Sequence, residues 1–375
     1  MENIENGSEN PLEVIVGFAS MRLKTENLSE RQKRFAHLID PRFFSGGKNY
    51  FRHRKKRADY IYTTPVDLEE DLFYLHPLMD PQVLEQGNVR RFPSGINEKY
   101  ICEKYFEDKW VSEGNNQLAL QLESYINDHL DILKQKDRIT LLDIGPCGGA
   151  ITTLFALRAL NKFGLLSKVE LALLDIVPNV LEATLLGKFT VPDELISEYG
   201  LEFLGPKGEK YKQFLGSGVM HGVKEWYELH HSNKPTAHTR GALIQSENNR
   251  KGNNPRIHYY RGDGETLPAE LRNIDMVLSA YTHHHMNLFG RQSLCRQMEQ
   301  AACQGGFVGV ADFYVPTYQD YMAWYKPHFQ KYGDAPPVEC PLIDGKTLAG
   351  WFRETAIDQT KELEKTVVFS GVKGA

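Results

Sequence analysis

The chain has few of the features that mark secreted, membrane or nucleic-acid-binding proteins. Its 375 residues include only five cysteines, and their odd number and scattered positions do not give the paired spacing of a disulfide framework. No apolar run reaches the length that a membrane span needs. The formal net charge of −5 gives no general attraction for nucleic acid or for an anionic membrane surface. These absences predict a soluble cytoplasmic protein with no nucleic-acid or membrane partner.

The N-terminal part of the chain also lacks a secretory signal, because its first residues, MENIENGSENP, are acidic and polar. A basic cluster at residues 52–57 is followed by an acidic stretch at 67–71, so we interpret the pair as a solvated loop. The clearest amphipathic pattern runs from Gln117 to Lys134 and predicts a helix. We expect residues 1–135 to form a mainly helical cap that acts as a substrate region.

The most informative stretch is ITLLDIGPCGGA, from Ile139 to Ala150. An apolar run with an acid, Asp143, near its end is followed at once by small residues, and a helical pattern of apolar residues follows those. This order predicts a buried strand, a tight glycine turn and a helix whose N-terminus points at the turn. Such a unit lets a ligand approach the backbone closely and forms half of a nucleotide-binding crevice.

Four more apolar segments continue the strand–helix alternation and predict a mostly parallel sheet with helices on both faces. They lie at Val169–Leu174, Arg256–Tyr260, Ile274–Ser279 and Phe307–Ala311. Acidic residues follow the first, second and last of them. A helix is expected from Arg291 to Ala302, closed by the glycines at 305 and 306, and an antiparallel edge strand at Lys365–Gly371.

These motifs in this order resemble the class I S-adenosylmethionine-dependent methyltransferases over residues 136–375. The shared features are a glycine loop, an acid after the strand Val169–Leu174, the sequence GDGETLP after the strand Arg256–Tyr260, and an apolar D-x-V strand before the acceptor site. The resemblance implies a Rossmann-like core, with insertions at about 189–255 and 314–341, and S-adenosylmethionine as the methyl donor. A dinucleotide site is disfavoured, because the glycines do not have the G-x-G-x-x-G spacing.

The resemblance also implies roles for individual residues. Asp143 and the loop from Gly145 through Cys147 to Gly149 would hold the methionine end of the cofactor. Asp175 would accept from the ribose hydroxyls, and Ile176 would pack on the adenine. The remaining contacts would be Asp263 at the adenine amino group, Gly264 beside it, and Ser279 near the methyl group. The loop departs from the family pattern D-x-G-x-G-x-G, because Cys147 stands where the middle glycine is usual.

A run of three histidines, His283 to His285, follows the predicted strand Ile274–Ser279. This run predicts the catalytic base. Histidine accepts a proton near neutral pH, and the carboxyl end of this strand faces the methyl acceptor in the family. We therefore expect His284, or else His283, to be the base, with Tyr281 as a positioning or phenolic partner. The wider histidine cluster between 221 and 285 raises the alternative of a metal site, but its spacing fits no zinc motif, so no metal is expected.

The two insertions are expected to shape the acceptor pocket, since a connection of some seventy residues needs structure of its own. The predicted function is methyl transfer to an oxygen or nitrogen of a small molecule. Two alternatives stay open. The cap and insertion could form a groove for a protein or peptide acceptor, or the chain could be a non-catalytic binding module with the same fold. The sequence does not indicate an oligomeric state.

Overall fold

The structure, a computed structural model, describes the central and C-terminal parts of the chain. The described residues are 109–146, 149–175, 178–187, 189, 191–221, 256–262, 264, 266–285, 288–314 and 349–374. Most of the cap expected at 1–135, the second half of the first insertion and nearly all of the second insertion lie outside these ranges. Side chains at 109, 178–180, 285 and 288–290 are also not described.

Short apolar runs in the sequence form most of the strands. The strands are β1 (Ile139–Ile144), β2 (Val169–Asp175), β3 (Val219–His221), β4 (Ile257–Arg261), β5 (Ile274–Ala280), β6 (Ala302–Phe313), β7 (Thr355–Glu362) and β8 (Thr366–Lys373). In β5 every residue is buried, as expected for a central strand that is covered on both faces.

Helices connect the strands. The described α-helices are α1 (Lys109–Asp128), α2 (Leu130–Gln135), α3 (Ile151–Lys162), α4 (Pro178–Leu185), α5 (Asp193–Tyr199), α6 (Glu209–Gly216) and α7 (Leu288–Ala301). A short 3₁₀ helix at His283–His285, here called the histidine turn, joins β5 to α7. Helices α5 and α6 and strand β3 occupy the first half of the predicted insertion.

The eight strands form one sheet in the order β3-β4-β2-β1-β5-β6-β8-β7. Strands β1 to β6 pair in parallel, whereas β8 pairs antiparallel with both β6 and β7. The predicted fold class, a Rossmann-like and mostly parallel sheet with an antiparallel C-terminal strand, is confirmed. The antiparallel strand lies second from the edge of the sheet, because β7 pairs along its outer side.

Three local features differ from the sequence-based expectation. Strand β3 has only three residues, and most residues of β7 are polar, so neither strand shows an apolar run. The two glycines at 305 and 306 lie inside β6 and do not close the preceding helix, which ends at Ala301. Gly305 has a left-handed backbone (φ 74°), and the pairing register of β5 and β6 shifts between Ile274 and Met276. Two glycines therefore allow an irregular strand to begin directly after α7.

The core has two layers, one on each face of the sheet. Leu141 of β1 belongs to the cluster that also contains buried residues of α1, α3, α4, α5 and α6, whereas Leu142 belongs to the cluster beneath α7. The alternation follows from the period of two in a strand. Helix α1 lies in the first layer and packs against β6, β8 and α3. The described part of the predicted cap, residues 109–135, therefore packs in the same core as the sheet. The domain boundary near 135 stays a prediction.

Candidate active site

Several of the predicted site residues lie at one edge of the sheet. Asp143 and Asp175 are at the carboxyl ends of β1 and β2, Ser279 is near the end of β5, and Asp312 is near the end of β6. Because these four strands are parallel, their carboxyl ends meet at the same edge. In open α/β sheets, ligands bind in the crevice outside this edge.

Asp143 is fully buried and only partly satisfied by the protein. Its Oδ2 accepts a hydrogen bond of 2.7 Å from the hydroxyl of Thr153 in α3, whereas its Oδ1 has no hydrogen-bond partner among the described residues. Burial raises the pKa of Asp143 to about 7, against a smaller lowering effect of the hydrogen bonds from Thr153. A buried carboxyl oxygen without a partner is an acceptor suited to a polar ligand group.

The described part of the glycine loop (residues 145–149) has the backbone conformations that a tight turn requires. Gly145 and Gly149 are left-handed, with φ of 71° and 86°, and so is Ala150 at 46°. The Gly145 amide donates to the carbonyl of Leu174 (2.8 Å), and the Gly149 amide donates to the hydroxyl of Thr184 (3.2 Å). Cys147, the residue that departs from the family pattern, lies outside the described residues.

The expected nucleoside contacts are described only in part. Asp175 is buried at the end of β2, and its carbonyl accepts from the amide of Gly262 (3.0 Å). Gly264 is described and buried, whereas Ile176 and Asp263 lie outside the described residues. The hydroxyl of Ser279 donates to the carbonyl of Ile144 (3.2 Å) and so ties β5 to β1.

The two leading candidates for the base contact one carboxylate, Asp312. The Nδ1 atom of His284 lies 2.6 Å from Asp312 Oδ1, and the backbone amide of His283 donates to Asp312 Oδ2 (2.7 Å). The Asp312 side chain is completely buried, and that of His284 is 3% exposed. The Oδ1 atom also accepts from the amide of Phe313 (2.6 Å). Asp312 therefore fixes both the histidine turn and the direction of the His284 ring.

Asp312 is ionised despite its burial. Burial alone would raise the pKa of this carboxyl, but its interactions with His284 and His283 outweigh that effect and hold the pKa of Asp312 well below its usual range. A buried carboxylate can remain charged when several N–H groups point at it.

His283 is enclosed more completely than His284. Its Nε2 lies 3.7 Å from the thiol of Cys295, and its Nδ1 lies 3.4 Å from Asp312 Oδ2 without the alignment of a hydrogen bond. Burial lowers the pKa of His283, and the hydrogen bonding and charge of Asp312 only partly oppose this effect. The thiol of Cys295 is also fully buried, and burial raises its pKa. This environment favours a structural role for His283.

Arg291 fixes the histidine turn from the other side. Its Nε donates to the carbonyl of His283 (2.7 Å), and its Nη2 lies 3.5 Å from the carbonyl of His284. Only 2% of this arginine is exposed. The positive charge of the guanidinium also contributes to the lowered pKa of His283, after the larger effect of burial.

Tyr281 points away from the histidine turn and towards α1. Its hydroxyl donates to the carbonyl of Trp110 (3.0 Å) or Val111 (3.3 Å) and lies 3.1 Å from the hydroxyl of Thr366. Its backbone is left-handed (φ 54°), which is unusual for a bulky residue. Burial raises the pKa of its phenol well above the ordinary value. These contacts favour the expected role of Tyr281 as a positioning residue over its role as a phenolic partner of the base.

Sequence reasoning missed two residues of this site. The sequence indicates Asp312 only as the acid that ends a strand, and Arg291 only as the start of a helix. A signal for Asp312 existed, because an acid at the end of a strand beside the histidine strand can reach the histidines. No local sequence pattern predicts the role of Arg291, whose guanidinium contacts backbone carbonyls seven and eight residues away.

A second pair of histidines lies on β3 and β4. His221 Nε2 is 3.0 Å from His258 Nδ1, and His258 Nε2 lies 3.6 Å from Glu170. Within the described ranges, no group of three or more histidine, cysteine, aspartate or glutamate side chains is arranged to hold a metal ion. The expectation of no metal stays a prediction, since several histidines of the cluster lie outside those ranges.

Comparisons with known proteins find similarity in structure but not in sequence. No family model matches the chain, and no curated protein matches it. The structure is similar to the N-methyltransferase NodS from Bradyrhizobium japonicum WM9 in complex with S-adenosylhomocysteine, at 9% identity and a TM-score of 0.36, over 78% of this chain and 100% of NodS.

Two further solved structures are similar at the same level. Magnesium protoporphyrin IX methyltransferase (ChlM) from Synechocystis PCC 6803, with bound S-adenosylhomocysteine, has 10% identity and a TM-score of 0.40, over 78% of this chain and 98% of ChlM. An O-methyltransferase family protein from Burkholderia thailandensis has 11% identity and a TM-score of 0.36, over 80% of this chain and 72% of that protein. Such identities and scores assign no activity to this chain.

Proposed function

We propose that this protein is an S-adenosylmethionine-dependent methyltransferase that acts on an oxygen or nitrogen of a small molecule. The observation that carries the proposal is the Asp312–His284 pair at the carboxyl edge of the sheet, the edge that also holds Asp143 and the glycine loop. A base and a site for a methyl donor at one crevice are the two parts that such a reaction requires.

The residues at this edge fit S-adenosylmethionine. The Oδ1 of Asp143, which has no hydrogen-bond partner among the described residues, supplies a buried acceptor directly before the glycine loop. Asp175, at the end of β2, stands where an acid accepts from ribose hydroxyls. Asp263 and Ile176 are proposed to contact the adenine, and Cys147 and Gly149 to complete the loop. When bound, the cofactor supplies a methyl group on a positively charged sulfur.

His284 is the proposed base, and Asp312 orients it. A hydrogen bond from Nδ1 to the carboxylate fixes the tautomer with the proton on Nδ1, which directs the basic lone pair to Nε2. The neutral ring removes the proton from the acceptor hydroxyl or amine as the methyl group is transferred, and Asp312 stabilises the imidazolium that forms. His283 and Tyr281 are then positioning residues, which hold the turn and its connection to α1.

The acceptor is proposed to be a small molecule, since the sequence of the core, residues 136–375, shows no basic stripe of the kind that binding to nucleic acid would need. A protein or peptide acceptor is the alternative, and the lengths of the cap and of the first insertion favour it. Placement in the cytoplasm is proposed as well. Among the described residues, Cys295 and Cys303 are in no disulfide, and no helix is both long enough and apolar enough to cross a bilayer.

Isothermal titration with S-adenosylmethionine and with S-adenosylhomocysteine tests the cofactor. Binding of both in the micromolar range is expected, and no binding of either would refute the proposal. A cell extract incubated with methyl-labelled cofactor and the protein then identifies the acceptor. Label in a small metabolite supports the proposed class, whereas label in protein favours the alternative. Cofactor binding without any labelled product would instead indicate a binding module.

Substitution of His284 tests the base. We expect His284→Ala to lower turnover by about 100-fold or more while cofactor affinity stays within about twofold, since general bases contribute on the order of 10²–10⁴. His129→Ala is the matched control, because His129 stacks on Tyr125 far along the chain from the turn. Unchanged turnover in His284→Ala would remove His284 from the role.

A further inference from the structure

Thr282 connects the histidine turn to the glycine loop through its side chain. Its Oγ1 lies 3.1 Å from the carbonyl of Ala280, 3.2 Å from that of Ile144 and 3.5 Å from that of Gly145. The hydroxyl has one proton and donates to one of these oxygens at a time. Two of the three acceptors belong to the end of β1, where the loop begins, so Thr282 ties together two segments 137 residues or more apart.

The contact between Thr282 and Gly145 is also a close packing contact. A Cβ atom at Gly145 would collide with Thr282 Oγ1 and would lie 2.8 Å from its Cγ2. Distances below 3 Å are not seen for real Cβ atoms, so only glycine is accommodated at 145. The left-handed φ of 71° adds a second reason for glycine there. No gap separates the loop from the threonine.

The residues on each side of Thr282 are held by other elements. The Tyr281 amide donates to the carbonyl of Ala311 (2.7 Å), and the Tyr281 hydroxyl bonds to the start of α1. The His283 amide donates to Asp312. Because its neighbours are fixed and its χ1 is restricted by branching at Cβ, Thr282 presents its hydroxyl to the end of β1 in one direction.

We infer that Thr282 is a positioning residue that sets the distance between the methyl donor and His284. The glycine loop holds the donor. The candidate bases, His283 and His284, directly follow Thr282 in the chain, so Thr282 connects them to the loop. Methyl transfer requires an in-line arrangement, in which an error of about 1 Å can cost on the order of 100-fold in rate. This inference rests on the proposed function.

Two substitutions separate the hydroxyl from the rest of the side chain. Thr282→Val keeps both branches and removes the hydroxyl, so the contact with Gly145 remains and the tie to Ile144 is lost. Thr282→Ser keeps the hydroxyl and removes the methyl group. If the hydroxyl is the tie, the serine variant behaves like the wild type. Thr360→Val, at an exposed position of β7, is the matched control.

The test measures the response of the histidine turn to the cofactor product in the full chain. Protein with ¹⁵N-labelled histidine is titrated with S-adenosylhomocysteine, and the ring signals of His284 are followed by NMR beside calorimetric binding. We expect a shift of these signals in the wild type, the serine variant and the control. In Thr282→Val we expect less than half of that shift, about tenfold lower turnover, and a dissociation constant within about threefold of the wild type.

Each other outcome has a defined meaning. A full shift and full turnover in Thr282→Val would overturn the inference and leave the proposed function intact. Equal losses in the valine and serine variants would also overturn it, because the methyl group and not the hydroxyl would then matter. A wild-type chain that does not bind S-adenosylhomocysteine would refute the proposed function and this inference together. Thermal melting of each variant confirms that it is folded.

Discussion

The ring of His284 and the carboxylate of Asp312 are joined by a 2.6 Å hydrogen bond, although 28 residues separate them in the chain. The pair is formed because β5 and β6 are neighbours in the sheet and end at the same edge. A carboxylate behind a histidine ring is the arrangement that fixes the ring's tautomer and stabilises its protonated form. The other features of the candidate site support this pair or connect it to the glycine loop.

The first prediction concerns the charge of Asp312. Asp312→Asn is expected to lower turnover by roughly 10²–10⁴, because the amide no longer fixes the His284 tautomer or stabilises its positive charge. S-adenosylhomocysteine affinity, measured by calorimetry, is expected to stay within about twofold. Asp358→Asn, exposed on β7, is the control. Near wild-type turnover in Asp312→Asn would show that the carboxylate does not act through His284.

The second prediction concerns Asp143 and pH. Burial gives this carboxyl a pKa of about 7 in the folded chain, against 3.8 for an unperturbed one. The folded state therefore binds the proton more tightly, and the stability this provides is fully present below about pH 4 and is lost as pH rises towards 7. Asp143→Asn removes this loss, which is on the order of a few kcal/mol.

Guanidinium unfolding at pH 5 and pH 8 measures the effect of Asp143. Relative to the wild type, Asp143→Asn is expected to be more stable at pH 8 than at pH 5, whereas the Asp358→Asn control follows the wild type at both. If the free-energy difference between Asp143→Asn and the wild type is the same at the two pH values, Asp143 is already ionised at pH 5 in the folded protein.

The third prediction separates the two roles expected for Tyr281. Tyr281→Phe removes a hydroxyl that bonds to Trp110 and Thr366, so a loss of about 1 kcal/mol in the free energy of unfolding is expected. The pH dependence of turnover should not change, because the phenol does not titrate near neutral pH. A displaced pH profile would instead support a phenolic partner in proton transfer.

The fourth prediction concerns the approach of α1 to β5. A Cβ at Gly114 would collide with the hydroxyl of Tyr281 and lie 2.7 Å from Cγ2 of Thr366. Gly114→Ala should therefore destabilise the fold by about 1–3 kcal/mol, although alanine is the better helix former. Ser124→Ala, on an exposed position of the same helix, should change stability by less than about 0.5 kcal/mol. Equal effects of the two substitutions would mean that α1 can shift without cost.

The central strands were predictable because burial on both faces requires continuous apolar runs. β1, β2 and β5 appear in the sequence within about one residue of their observed ends, and the acids Asp143 and Asp175 at the ends of β1 and β2 were identified with them. β7 was not predictable, since its residues alternate in exposure and carry Asp358, Lys361 and Glu362. A strand of this kind is defined by its pairing with β8 and not by its own composition.

The site was predictable where one segment supplies both motif and geometry, and not where distant segments meet. The histidine turn and Asp143 could be located from the local pattern. The role of Asp312 depends on the pairing of β5 with β6, and that of Arg291 on how α7 packs beneath the turn. Thr282 is an ordinary residue in the sequence, and its proximity to Gly145 appears only when β1 and β5 lie side by side.

The position of β8 has a consequence for how the protein is made. This strand is the last of the described strands in chain order, yet it lies inside the sheet between β6 and β7, and α1 packs against it. During synthesis, residues 366–373 leave the ribosome after every other described strand. The packing of α1 and Tyr281 against β8 therefore forms late. Until then β6 has an unpaired edge, which is a potential site of aggregation during synthesis.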